Sequence, residues 1–198
     1  MLLRLLRTLI LTSLLLISFA PALNAQEVKV HTGTQDLTVF ERESKMWLGE
    51  EIRRRLVTQN YYDVFDWLEG ELREDGTLVL RGAVTRPALK ASAERSVAGL
   101  VGVKTVVNEI EVLPVSPFDE NLRRRIYKSV YNFNSPLFRY AVRAVPPIHI
   151  VVNKGRVTLK GTVATEMESR LAETYVRQVS GAFEVKNELR VEASDRSS

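Results

Sequence analysis

The chain has 198 residues, 45% hydrophobic and 26% charged, with 28 basic and 24 acidic side chains and no cysteine. This is ordinary globular composition, which excludes collagen, coiled coil and wholesale disorder. The absence of cysteine excludes disulfide scaffolds, thiolate zinc sites, iron–sulfur clusters, cysteine nucleophiles and the acylated cysteine of a bacterial lipoprotein.

Residues 1–25 read as a secretory signal peptide. Arg4 and Arg7 form a positive start, Leu9 to Ala20 is an uncharged apolar run, and Ala20, Ala22 and Ala25 offer small-residue exits. The apolar run is shorter than the ~20 residues that span a bilayer, which favours a signal peptide over the alternative, an uncleaved anchor. Cleavage after Ala22 and cleavage after Ala25 both stay open. Either would leave 26 basic against 24 acidic residues, a near balance with no global electrostatic signature for nucleic acid. The expected location is periplasmic or secreted.

Residues 26–45 are polar without a sustained period and read as a linker. A first domain is then expected over 46–113. Leu48, Ile52 and Leu56 recur every fourth residue, the stripe of an amphipathic helix. Leu68, Gly70 and Leu72, then Leu78, Leu80, Gly82 and Val84, alternate as the two strands of a hairpin. Pro87 suits the first turn of a second helix, which Gly102 is expected to end. Val106, Asn108, Ile110 and Val112 alternate as a last strand.

A second domain over 117–192 repeats this order. Phe118, Leu122, Ile126 and Val130 form the helix stripe. Ile148, Ile150 and Val152 lead through Asn153-Lys154-Gly155 to Val157, Leu159, Gly161 and Val163. Thr165 and Glu168 form a capping box ahead of a helix burying Leu171, Ala172, Tyr175, Val176 and Val179. Gly181 ends it, and Val185, Asn187, Leu189 and Val191 make the final strand. Residues 193–198 read as a frayed tail.

The two domains are copies. Sliding residues 75–112 onto 154–191 without a gap matches twelve of 38 positions, among them Leu80 with Leu159, Val97 with Val176 and Asn108 with Asn187. Arg53-Arg54-Arg55 recurs as Arg123-Arg124-Arg125 at a shorter offset, so copy two carries about nine extra residues between its first helix and its hairpin. The hairpin phase requires one extra turn residue in copy one. The fold class is α+β: two tandem small two-layer domains, each helix–strand–strand–helix–strand, with a three-stranded sheet packed on two helices.

This unit resembles the BON domain. The resemblance rests on Val157-Thr158-Leu159-Lys160-Gly161-Thr162-Val163, then Ala172, Gly181 and Val185-Lys186-Asn187-Glu188-Leu189-Arg190-Val191, with the first copy at Leu78–Val84 through Asn108–Val112. Ser135-Pro136-Leu137 matches the family's step after the first helix, whereas copy one departs there with Tyr61-Tyr62-Asp63-Val64-Phe65-Asp66-Trp67. The resemblance implies a non-enzymatic envelope module tied to osmotic or envelope stress, some members binding anionic phospholipid through one of two copies. It transfers no site residue.

No catalytic residue, cofactor or metal is expected. His31 lies in the linker, and His149 alternates off the hairpin's core face as a plain strand residue. Asp63, Asp66, Glu69 and Glu71 read as a solvated acidic face. Asn108 and Asn187 read as partly buried amides bonded to backbone. Gly99-Leu100-Val101-Gly102 has the spacing of a nucleic-acid loop without its basic groups, so no nucleic-acid partner is expected.

The arginine triplets are expected to project to solvent, in the plainest case paired with Glu50, Glu51 and Glu120. In copy two, aromatics interleaved with arginine follow, and such a run suits a membrane interface. The candidate lipid-binding residues are Arg123, Arg124, Arg125, Phe138, Arg139, Tyr140 and Arg143. The expected function is an exported, non-catalytic binding module at the envelope, with an anionic phospholipid surface as leading partner. An adaptor for envelope proteins, or a self-associating protein, is the alternative; the sequence leaves the oligomeric state open.

Overall fold

The computed structural model describes residues 34–192, so the signal peptide, the tail and the start of the linker lie outside the described residues. Both repeats fall in one unit, Val39–Ser198. Copy one runs α1 (Thr34–Val57), β1 (Trp67–Leu72), β2 (Thr77–Val84), α2 (Pro87–Val97), β3 (Thr105–Asn108) and β4 (Glu111–Val112). Copy two runs α3 (Pro117–Val130), α4 (Phe138–Ala141), β5 (Ile148–Asn153), β6 (Arg156–Val163), α5 (Glu166–Arg177) and β7 (Glu184–Val191). No helix among the described residues is long and apolar enough to cross a membrane.

The alternation places the core as expected. In each sheet the second strand is central, antiparallel to the first and parallel to the last. Leu80 and Leu159 are fully buried, as are Val97 and Val176. Copy two turns its hairpin on Lys154 and Gly155, both at positive φ, the conformation a two-residue turn demands. The buried Asp119 carboxylate accepts both of their amides at 2.8 Å. Copy one needs the extra residue, and Asp75 accepts from Thr77 inside its turn instead (2.8 Å).

The matching glycines of the central strands have a steric reason. A Cβ at Gly82 would stand 2.0 Å from the Trp67 carbonyl oxygen, and one at Gly161 1.8 Å from that of Pro147. The matching asparagines tie the second helix to the last strand. Asn108 Nδ2 donates to the Lys90 carbonyl and Asn187 Nδ2 to that of Ser169, each at 3.1 Å, while their Oδ1 atoms accept from Ile110 and Leu189.

Five expectations need correction. Helix α1 starts at Thr34, inside the stretch read as a linker; its exposed residues 42–47 carry no stripe to betray it. Phe118 is 45% exposed and stacks on Phe183 at 5.7 Å, outside the core stripe. Gly102 and Gly181 lie in turns beyond the helix ends, with Ala98 and Gln178 as the capping residues. The last strand of copy one is interrupted at Glu109–Ile110, although one register runs through both pieces. Asp66, read as part of a solvated face, is fully buried and accepts the Thr85 amide (2.6 Å) and hydroxyl (3.0 Å).

The repeats also exchange side chains. Val64, from the segment where copy one departs from the family pattern, is buried in the core of copy two. Val145, from the expanded segment of copy two, packs on the core of copy one. His149 does point off its own core face, but Tyr62 and Trp67 of copy one cover it, with ring centroids 5.5 and 5.2 Å away.

Candidate lipid-binding surface

On α3, Leu122, Ile126 and Val130 face the core, so the triplet lies beside and opposite that stripe. Arg124 and Arg125 are exposed, and Glu120 holds Arg124 at 3.0 Å. Arg123 does not project to solvent. It is 4% exposed, donating from Nη2 to the Val152 carbonyl at 2.7 Å, with Glu120 3.6 Å from its Nη1. Its long apolar stem lies along the hairpin while the guanidinium closes an unpaired carbonyl of edge strand β5. In copy one the triplet is held by helical neighbours, Arg53 by Glu50 and both Arg54 and Arg55 by Glu51.

The expanded segment builds the second part of the surface. Tyr131 is buried and donates to the Ile148 carbonyl at 2.7 Å; burial pushes its phenol upward. Leu137 is fully buried, fixing the start of α4. Tyr140 then turns inward. Its hydroxyl accepts from the Ala164 amide and donates to Glu168, each at 3.0 Å. Glu168 also pairs with Arg139, whose guanidinium sits 4.9 Å over the Tyr140 ring. Arg143 lies 5.9 Å from the same ring, and no ion pair engages it among the described residues.

The candidate residues therefore separate. Arg123 and Tyr140 are structural and closed to a ligand. Arg124 and Arg125 stand on α3, while Phe138, Arg139 and Arg143 stand on or beside α4. A depression of about 370 Å³, lined by Arg124, Tyr127, Lys128 and Pro146 of copy two and by Asp63 and Phe65 of copy one, links α3 to the segment leaving α4. Sequence reasoning passed over Lys128 as a candidate, although it lies one helical turn beyond Arg124. Phe133 and Val142, both within the arginine–aromatic run of copy two, are 80% and 76% exposed; Phe133 meets Phe138 edge to face at 5.1 Å. The surface thus joins exposed apolar groups with cations, the pairing that holds a protein at an anionic lipid interface.

The family model described as "BON domain" matches residues 73–114 and 138–193. No curated protein matches the chain. Two solved structures of CdsD, a structural protein of the type III secretion system of Chlamydia trachomatis, are similar to this chain. The C-terminal domain structure is 13% identical, covers 73% of this chain and 96% of that one, and superposes with a TM-score of 0.25. The second structure is also 13% identical, covers 71% and 90%, and has the same TM-score of 0.25.

Proposed function

The chain belongs to the BON-domain family, and from that premise we propose that it is an exported, non-catalytic binding protein of the cell envelope that holds anionic phospholipid on its second repeat. A part in envelope integrity or osmotic stress tolerance follows from that reading. The observation that carries it is the exposed group of Phe133, Val142 and Arg143 in the expanded segment, which copy one lacks. Each Lys or Arg near an anionic leaflet contributes about 1 kcal/mol, less as salt rises. Arg124, Arg125, Lys128 and Arg143 together with one or two inserted rings would give usable affinity.

The test is co-sedimentation with vesicles of phosphatidylglycerol against vesicles of phosphatidylcholine. Replacing Arg124, Arg125 and Arg143 with Gln is expected to abolish binding to the anionic vesicles with the circular dichroism unchanged. Arg139 is left in place because Glu168 is paired with it. The same change at Arg53, Arg54 and Arg55 is expected to matter little. A wild type that ignores anionic vesicles at low salt ends the lipid reading. The adaptor reading would then stand on the exposed Met46, Trp47 and Val101 of copy one.

A further inference from the structure

The contact between the repeats is not closed. A cleft of about 660 Å³ runs between α1 and β1 of copy one and the Arg143–His149 segment of copy two. Its size falls within the roughly 300–1,000 Å³ of small-molecule sites. Ile52, Leu56 and Leu68 supply one wall, and Val145 and Pro147 the other. His149 lines it as well, 6% exposed, with a buried Nδ1 that has no hydrogen-bond partner. Burial lowers the pKa of this imidazole to about 4, so the interior of the cleft carries no charge at neutral pH.

The mouth is different. Arg143 and Arg190 line the cleft, and neither has an ion-pair partner among the described residues. Glu192 and Glu69 are the carboxylates that line it beside them. Arg53 is neutralised by Glu50 at 2.7 Å, and Glu69 accepts from the Trp67 indole at 3.2 Å. The cleft therefore joins an apolar interior to a rim on which the guanidiniums of Arg143 and Arg190, free of ion pairs among the described residues, meet the carboxylates of Glu192 and Glu69. Gly49 lines it on the α1 side, where a larger side chain would find open space. In copy two the corresponding residue is Asp119, whose carboxylate clamps the hairpin turn.

We infer that this cleft binds a single-chain anionic amphiphile, with its acyl chain among Ile52, Leu56, Leu68 and Val145 and its carboxylate or phosphate at Arg143 and Arg190. The inference rests on the phospholipid reading of the chain and deepens it. The vesicle surface would deliver or receive the molecule that the cleft holds. Free fatty acid and lysophospholipid share the required chemistry.

The experiment is fluorescence titration of the full chain with 11-dansylundecanoic acid below its micellar concentration. The wild type is expected to bind one equivalent with a blue-shifted emission. The methyl ester of the probe should bind about ten-fold more weakly, the scale of one lost charged contact. Arg190→Gln should weaken the acid by the same factor. Gly49→Leu should fill the cleft and remove the signal, while vesicle co-sedimentation stays at the wild-type level. Displacement by oleate and by lysophosphatidylglycerol ranks the two ligand sources. A wild type that ignores the dye overturns the inference, even where vesicles sediment normally. So does dye binding that neither Gly49→Leu nor Arg190→Gln reduces. Dye binding without vesicle binding would instead overturn the surface reading and leave the cleft standing.

Discussion

The amide of Ile150 donates to the carbonyl of Val64 at 2.8 Å, joining edge strand β5 of copy two to a loop of copy one. Two neighbouring carbonyls on β5 are closed as well, Ile148 by the Tyr131 hydroxyl and Val152 by Arg123. An unpaired sheet edge is a template for pairing with another chain. Here a hydroxyl, a loop carbonyl and a guanidinium cover it in turn. The Val64 side chain follows its carbonyl into the copy-two core, so the second repeat is completed by the first.

Val64→Ala is therefore expected to destabilise copy two, not the copy that carries it. Removing two buried methyl groups costs about 2 kcal/mol. Urea unfolding followed by amide exchange would locate the loss: protection should fall at Ile150 and along β6 before β2. Uniform loss across both sheets would refute the interlock.

The glycines divide into two kinds. Gly82→Ala and Gly161→Ala would each drive a methyl group into a backbone carbonyl at a positive φ of 125° and 112°. Each should cost about 3 kcal/mol, with the urea midpoint as readout. Gly49→Ala, in the open on α1, should instead stabilise by about 0.5–1 kcal/mol through helix propensity.

Much of this fold could be read from the chain because each element reports its own buried face. The alternation through Leu80 and Leu159 shows which side of a strand is covered, and the repeat shows that both copies do it alike. Periodicity says nothing about what covers the opposite face. His149 alternates correctly off its own core and still ends 6% exposed, because Tyr62 and Trp67 arrive from the other repeat. Arg123 was misplaced for a related reason. A charged head was expected in solvent, but a stem of three methylenes lets it lie on apolar surface and reach one carbonyl. Tyr140 looked like an interfacial ring from its neighbours Phe138 and Arg139. Its hydroxyl is instead the partner that the Ala164 amide needs, a task Asp66 performs for Thr85 in copy one.

That difference separates Arg123 from its neighbours in a measurable way. Arg123→Gln would leave the Val152 carbonyl without its partner and should lower stability by about 1–2 kcal/mol. Binding to anionic vesicles should be unchanged. Arg124→Gln should do the reverse, weakening vesicle binding with little change in the urea midpoint, since its pair with Glu120 is exposed. Equal effects of the two substitutions on vesicle binding would put Arg123 back on the surface.

His149 makes the contact between repeats sensitive to acid. Burial lowers its pKa from 6.5 to about 4, partly offset by the backbone carbonyls of Asp66 and Asp63. In the unfolded chain the imidazole takes a proton near its ordinary value, so below that value the unfolded state binds more protons than the native one. Stability is then fully present above about pH 6.5 and is lost as pH falls toward about 4. The shift corresponds to about 3 kcal/mol over that window. Burial raises the Asp63 carboxyl, which works in the opposite sense because the native state then holds its proton more tightly. The histidine is isolated by comparing wild type with His149→Phe, which keeps a ring against Tyr62 and Trp67. Between pH 7 and pH 4.5 the wild type should lose stability steeply in urea, and the Phe variant should lose markedly less. Parallel pH profiles for the two proteins would show that the imidazole is solvated and that the rings of copy one do not close over it.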